Sequence, residues 1–218
     1  MAKRFDLIVF DWDGTLMDSA AAIVRAIQSA STDLGLPVPD DARARHVIGL
    51  GLVDALRHAV PDLAEHDYPR MVERYRHHYL SGDHELPLFD GTFDMVEALH
   101  GRGHLLAVAT GKSRKGLERA LGFSGLGRFF HATRCADECF SKPHPQMLEE
   151  RLDELGVMPD ACLMIGDTIH DLQMARNAGV AALAVSFGAH PVEQLEAEAP
   201  LACLHSPVAL RDWLEQHA

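Results

Sequence analysis

Asp6-Leu7-Ile8-Val9-Phe10-Asp11-Trp12-Asp13-Gly14-Thr15-Leu16-Met17-Asp18-Ser19 passes from an apolar run to a pair of carboxylates and then to a helix-like segment. A short apolar run bounded by turn residues is the pattern of a buried strand in a parallel sheet. Open parallel sheets bind ligands beyond the carboxyl ends of their strands, which is where Asp11 and Asp13 fall. Two carboxylates this close repel and are costly to bury without a partner, so a cation or a shared proton is implied. Taken alone, Asp13-Gly14 reads more plainly as a solvated turn after a strand.

The rest of the chain supplies the context. Strand-like runs recur at 105–109, 161–165 and 181–185, with a shorter one near 201–204. Helical patterns lie between them at about 92–101, 113–122, 145–155, 168–178 and 207–216. This alternation predicts an α/β fold, a Rossmann-like parallel sheet with helices on both faces. Thr92 is the expected cap of the helix that follows it, and Gly179 the expected stop of the one that precedes it. Residues 18–35 are helical in period, through Ile23, Val24, Ile27, Ala30 and Leu34, with Gly35 as a stop. Further helical patterns follow near 41–47, 52–59 and 67–80, and no strand separates them. One crossover helix would suffice between parallel strands. An inserted all-helical module is therefore expected over 16–86, flanked by core segments 1–15 and 87–218.

Hydrophobic residues make up 47% of the 218, enough for a packed core, and no apolar run is long enough to span a membrane. The first residues lead straight into a strand without an apolar signal core, so a cytoplasmic location is expected. The net charge of −12 comes with no basic patch and argues against nucleic acid or an anionic membrane as partner. A monomer or weak homodimer is expected. Cys135, Cys139, Cys162 and Cys203 form no Cys-x-x-Cys pair and read as reduced thiols, Cys162 as a core residue. His100 and His104 are separated by turn glycines, which does not suit a helical ligand pair.

Three further segments carry candidate chemistry. Thr110 ends a strand run and precedes Gly111, Lys112 and Ser113. A hydroxyl and free N–H groups at a helix start make an anion site, although Ser113 is equally a helix cap. Lys142 is held in Ser141-Lys142-Pro143-His144-Pro145, with an extended backbone imposed by Pro143 and a helix start at Pro145. It is one of four lysines, the others being Lys3, Lys112 and Lys115. Asp167 and Asp171 follow the strand run 161–165.

These segments together, Asp-x-Asp-Gly-Thr-Leu-x-Asp-Ser at 11–19, Thr110, Lys142 and Gly166-Asp167-Thr168-Ile169-His170-Asp171, resemble the haloacid dehalogenase-like (HAD) hydrolase superfamily. The resemblance extends over the whole chain and is strongest to the phosphoglycolate phosphatase-like subgroup. It implies a helical cap over 16–86 and an Mg²⁺-dependent phosphatase acting on a small phosphorylated metabolite. Asp11 is then the candidate nucleophile, forming an aspartyl-phosphate. Asp13 is the candidate general acid and base, and Gly14 lets backbone approach phosphate. Thr110 and Gly111 would bind phosphate, and Lys142 would neutralise charge as it develops. Asp11, Asp167 and Asp171 can build an oxygen cage suited to Mg²⁺, to which the resemblance adds the main-chain carbonyl of Asp13. Asp171 could bind directly, through water, or by steadying Lys142.

The second aspartate separates this chain from the dehalogenase and phosphonate-cleaving branches. Resembled sugar-phosphate mutases carry a histidine where this chain has Ile23. Pyrophosphate and nucleotides remain as alternative substrates, and an idle HAD-like binding protein as the alternative class. Specificity is expected in the 45–52 loop, in which Arg45 could bind a carboxylate. His144 has no assigned role. Crossings near 16–18 and 85–89 are the expected hinges.

Overall fold

The computed structural model describes residues 3–81 and 86–218. Its strands are β1 (Leu7–Phe10), β2 (Leu105–Thr110), β3 (Ala132–Cys135), β4 (Cys162–Gly166), β5 (Ala181–Val185) and β6 (Cys203–Leu204). They form one sheet in the order β3-β2-β1-β4-β5-β6, every pair parallel. β1 sits in the middle, where the strand order reverses, and the crevice beyond its carboxyl end is the place for a ligand.

Alternation across β1 organises two apolar layers. Ile8 and Phe10 face one layer, packed on Met95, Val96 and Leu99 of α5 (Thr92–Gly101) and on Leu210 and Leu214 of α10 (Pro207–His217). Leu7 and Val9 face the other, packed on Met147, Leu148 and Leu152 of α7 (Gln146–Leu155) and on Met174 and Ala175 of α8 (Ile169–Asn177). All four β1 side chains are buried, as a strand covered on both faces requires. Helix α6 (Arg114–Ser124) follows β2.

Residues after β1 form α1 (Ala20–Asp33), α2 (Asp41–His46), α3 (Leu52–Ala59) and α4 (Tyr68–Leu80). They bury an apolar cluster of their own, including Ile23, Ile27, Val47, Leu56 and Met71. The chain leaves and re-enters the sheet side by side: Phe89 N–H donates to Leu16 O and Asp18 N–H to Pro87 O, both at 3.0 Å. Glu85, in the expected second hinge, lies outside the described residues.

Some local expectations change. Thr92 does not cap α5: Gly91, at φ 77°, holds the cap position without a side-chain bond, and Thr92 is buried as the first helical residue. Pro145 stands one residue before α7, at its cap. β3 and α9 (Val192–Ala197) were not expected. β3 is an edge strand carrying Arg134, half-buried at its centre, and α9 is a six-residue helix, half of it apolar, too short for a period to show. Among the described residues no helix is long and apolar enough to cross a membrane.

Candidate active site

Three strand ends converge at the centre of the sheet. Asp11 follows β1, Thr110 ends β2 and Asp167 follows β4; all three are fully buried. Lys142 and Asp171 are buried beside them. The structure thus brings the side chains of Asp11, Lys142, Asp167 and Asp171 together.

Lys142 Nζ lies 2.8 Å from Asp11 Oδ1 and 2.6 Å from Asp171 Oδ1. The Lys142–Pro143 peptide is cis. Burial alone would push the ammonium down, but the charges of Asp11 and Asp171 outweigh it and hold it above the ordinary lysine range. Both oxygens of Asp171 are engaged: its Oδ2 accepts from Thr168 N–H at 3.2 Å and from Thr168 Oγ1 at 2.7 Å, closing a reciprocal cap at the start of α8. Of the roles open to Asp171, steadying Lys142 is the one its contacts display.

Asp11 is different. Apart from the Lys142 ion pair, neither of its buried oxygens receives a hydrogen bond. Burial raises its pKa to about 7, against the pull of Lys142 and with the repulsion of Asp171 and Asp13 adding. Asp167 is likewise held well above the carboxylate range, by burial first and then by Asp11 and Asp171. Its Oδ2 accepts from Ala189 N–H at 2.7 Å and its Oδ1 from Thr15 Oγ1 at 2.9 Å. Backbone crowds this carboxylate: a Cβ on Gly14, which adopts φ 83°, or on Gly188 would strike Asp167 Oδ2. Gly14 therefore fits closely against the site, as its left-handed conformation permits.

Asp11, Asp167 and Asp171 place carboxylate oxygens within 4.8 Å of one another. An orphaned buried oxygen and repelling carboxylates are what a hard divalent cation relieves, so the donor set fits one. The side chain of Asp13 points elsewhere, accepting from Ser19 Oγ at 2.7 Å and from Lys112 Nζ at 3.0 Å and 3.1 Å. Lys112 Nζ also donates to Tyr79 Oη of α4 at 2.9 Å. Thr110 Oγ1 accepts from Lys112 N–H at 3.1 Å.

The helical segment closes over this point. Gly111 packs so tightly under the carbonyls of Gly49 and Leu50 that a Cβ there would overlap both. Gly51 N–H donates to Ser141 Oγ at 2.8 Å. The 45–52 loop therefore rests on the strand ends, and Gly49, Leu50 and Gly51 line a cavity of about 490 Å³ that reaches Asp11 and Asp13. Arg45 is half-buried and is not among the lining residues. His144 accepts from Gln146 N–H at 3.2 Å and packs on Phe140, a local role.

Sequence reasoning missed several partners. Ser19 closes the first motif and Lys112 follows Thr110 by two residues, so both signals were visible as spacing. Thr15 stands inside that first motif, but Tyr79 and the Ala189 N–H had no signal, because their roles depend on long-range contacts. A cluster of His46, His170 and His190 was equally hidden. Both buried rings donate through Nε2 to His46 O, at 2.8 Å from His170 and 3.1 Å from His190.

Comparison with known proteins gives the family. A 5'-nucleotidase of Pseudomonas aeruginosa is 35% identical, over 99% of this chain and 98% of that one. A phosphoglycolate phosphatase of Aliivibrio fischeri is 31% identical, over 92% of each chain. A crystal structure of a hydrolase from Pseudomonas syringae shares the fold with a TM-score of 0.87 at 23% identity, over 97% of this chain and 98% of that one. The family model for haloacid dehalogenase-like hydrolases matches residues 8–185, and the chain belongs to that family.

Proposed function

We propose that the protein is an Mg²⁺-dependent phosphatase that hydrolyses a phosphate monoester through an aspartyl-phosphate on Asp11. The observation that carries this is Asp11 itself: a buried carboxylate at the central strand end, held by a lysine, with an oxygen free of hydrogen bonds, in a residue that lines the cavity. An Asp11 oxygen attacks phosphorus, and the ester P–O bond breaks. Its electron pair leaves on the alcohol oxygen, which takes a proton from Asp13. Water then attacks phosphorus, Asp13 takes its proton, and the Asp11–phosphorus bond breaks to release phosphate. Lys142 balances charge on Asp11 and the phosphoryl oxygens, and Thr110 and Gly111 contribute to phosphate binding. Asp11 and Asp167, with the main chain of Asp13, would hold Mg²⁺, with Asp171 beside them. The ion would supply charge neutralisation of the phosphoryl group.

Residues 16–86 act in this reading as a cap over a core of 1–15 and 87–218. Support comes from their separate apolar cluster and the paired crossings. The substrate is a small phosphorylated metabolite, and the two named relatives suggest phosphoglycolate or a nucleoside monophosphate. Purified protein assayed against a panel of phosphate esters with and without Mg²⁺ tests this. Metal-dependent phosphate release is expected, and no release from any ester would reject it.

A further inference from the structure

The cavity above Asp11 is much larger than a phosphoryl group needs. Its 490 Å³ falls in the range of pockets that enclose whole organic ligands. It begins at Asp11, Asp13 and Gly111 and continues between the helices of the 16–86 segment. The wall there is apolar and comes from two helices: Ile23 and Ile27 of α1, Val72 and Tyr75 of α4. Tyr75 lies nearly parallel to Tyr79, with ring centroids 5.8 Å apart, which stiffens that wall. Besides the carboxylates Asp54 and Asp137, cationic side chains complete the lining: Lys112 beside Asp13 and the exposed Arg76, Lys115 and Arg119. In a chain of net charge −12 they offer the local attraction that an anionic ester needs to enter.

A two-carbon hydroxy acid such as glycolate would neither fill this space nor cover these side chains. An apolar wall left against water gains nothing on binding, whereas a flat hydrophobic body displaces that water. Of the four wall residues, Ile23, Ile27 and Val72 have no hydrogen-bonding side-chain atoms, and only Tyr75 carries one, its hydroxyl.

Resting on the phosphatase reading above, we propose that the α1–α4 wall is a subsite for the alcohol part of the substrate, and that this part carries a ring-sized apolar body. The preferred substrates are then ring-bearing phosphate monoesters, with phosphoglycolate a poor one. Each buried methylene-sized contact in such a pocket is worth roughly tenfold or more in kcat/KM.

The test uses the full chain with Mg²⁺ and three esters: ethyl phosphate, benzyl phosphate and 2-phosphoglycolate. Ethyl and benzyl phosphate release alcohols of similar acidity, so their ratio reads the ring and not the leaving group. Benzyl phosphate is expected to exceed both others in kcat/KM by about tenfold or more. Val72→Trp, which narrows the cavity, should cut the benzyl-to-ethyl ratio several-fold. Val72→Ala serves if the larger residue prevents folding, and should lower the ratio through lost contact. Hydrolysis of all three esters at similar kcat/KM, or a ratio unmoved in a folded variant, overturns the subsite while leaving the phosphatase reading in place. Release from none of them, and from no other ester, overturns that reading and the subsite with it.

Discussion

Lys112 Nζ bridges both carboxylate oxygens of Asp13, at 3.0 Å and 3.1 Å, and carries the hydroxyl of Tyr79 at 2.9 Å. Asp13 belongs to the loop after β1, Lys112 to the loop after β2 and Tyr79 to α4. One ammonium therefore ties the proposed acid–base group to the helical segment that covers it. Its side chain and that of Asp13 are only 10% and 9% exposed, so solvent screens the pair weakly. Lys112→Met should release Asp13 from its set orientation. For alkyl phosphates kcat should fall by about tenfold or more, and for p-nitrophenyl phosphate by less, since a good leaving group needs little protonation. Tyr79→Phe should show a weaker form of the same pattern. Equal losses on both esters would count against a positioning role.

Asp11→Asn should abolish phosphate release, by at least about 10³-fold, without loss of fold. The substitution removes a carboxylate whose pKa is driven to about 7 by burial and by like charges. Lys142 keeps its bond to Asp171. Thermal melting should therefore stay level or rise. A folded variant that retained most of its activity would remove Asp11 from its assigned role.

Lys142 is the opposite case. Its ammonium is completely buried between Asp11 and Asp171. Lys142→Met leaves those carboxylates facing each other, and breaking a buried pair in this way costs about 3–5 kcal/mol. Denaturant unfolding of the metal-free protein should show that loss, and Mg²⁺ should recover part of it. A change under about 1 kcal/mol would show that solvent reaches the site more freely than its burial indicates.

How much of this was written in the chain depends on the range of the contact. The strand before Asp11 was legible because it is covered on both faces and reads as unbroken apolar residues. Asp11, Asp13, Thr110, Lys142 and Asp167 were placed by the resemblance of four motifs in order, at or just after strand ends and, for Lys142, just before a proline. The division of labour among the carboxylates was not. Asp167 and Asp171 look equivalent as letters, yet Asp167 is held by Thr15 and the Ala189 N–H, and Asp171 by Lys142 and Thr168. β3 was missed because an edge strand with Arg134 at its centre lacks the buried-strand pattern.

That difference predicts unequal metal binding. A cation that binds the folded state alone raises its stability by RT ln(1 + [L]/Kd). Mg²⁺ should therefore raise the melting temperature of the parent protein. Asp167→Asn should abolish the shift, whereas Asp171→Asn should only reduce it, because the oxygens of Asp171 are already taken by Lys142 and Thr168. Isothermal titration with Mg²⁺ would measure the same order directly. Equal loss in the two variants would make Asp171 a full ligand.

The histidine cluster gives stability a dependence on pH. His190 is 3% exposed; its Nε2 donates to His46 O and its Nδ1 accepts from Ile169 N–H at 3.2 Å. The Nδ1 bond requires the neutral ring, because a protonated Nδ1 cannot accept. Burial first, then the neighbouring His170, lowers its pKa to about 4. The unfolded chain takes up this proton near pH 6.5, and the folded chain only near pH 4. Between these values the unfolded state binds more protons, so stability is lost as pH falls, at about 1 kcal/mol per pH unit from this residue. His170, also lowered by burial, adds to the slope in the same direction. His190→Gln keeps a donor and an acceptor but does not titrate. Unfolding free energies measured in chelator from pH 7 to pH 4 should fall less steeply for this variant than for the parent. Asp11 and Asp167 titrate in both proteins and largely cancel in the difference. Parallel curves over that window would show that His190 takes its proton in the folded protein as readily as in the unfolded chain.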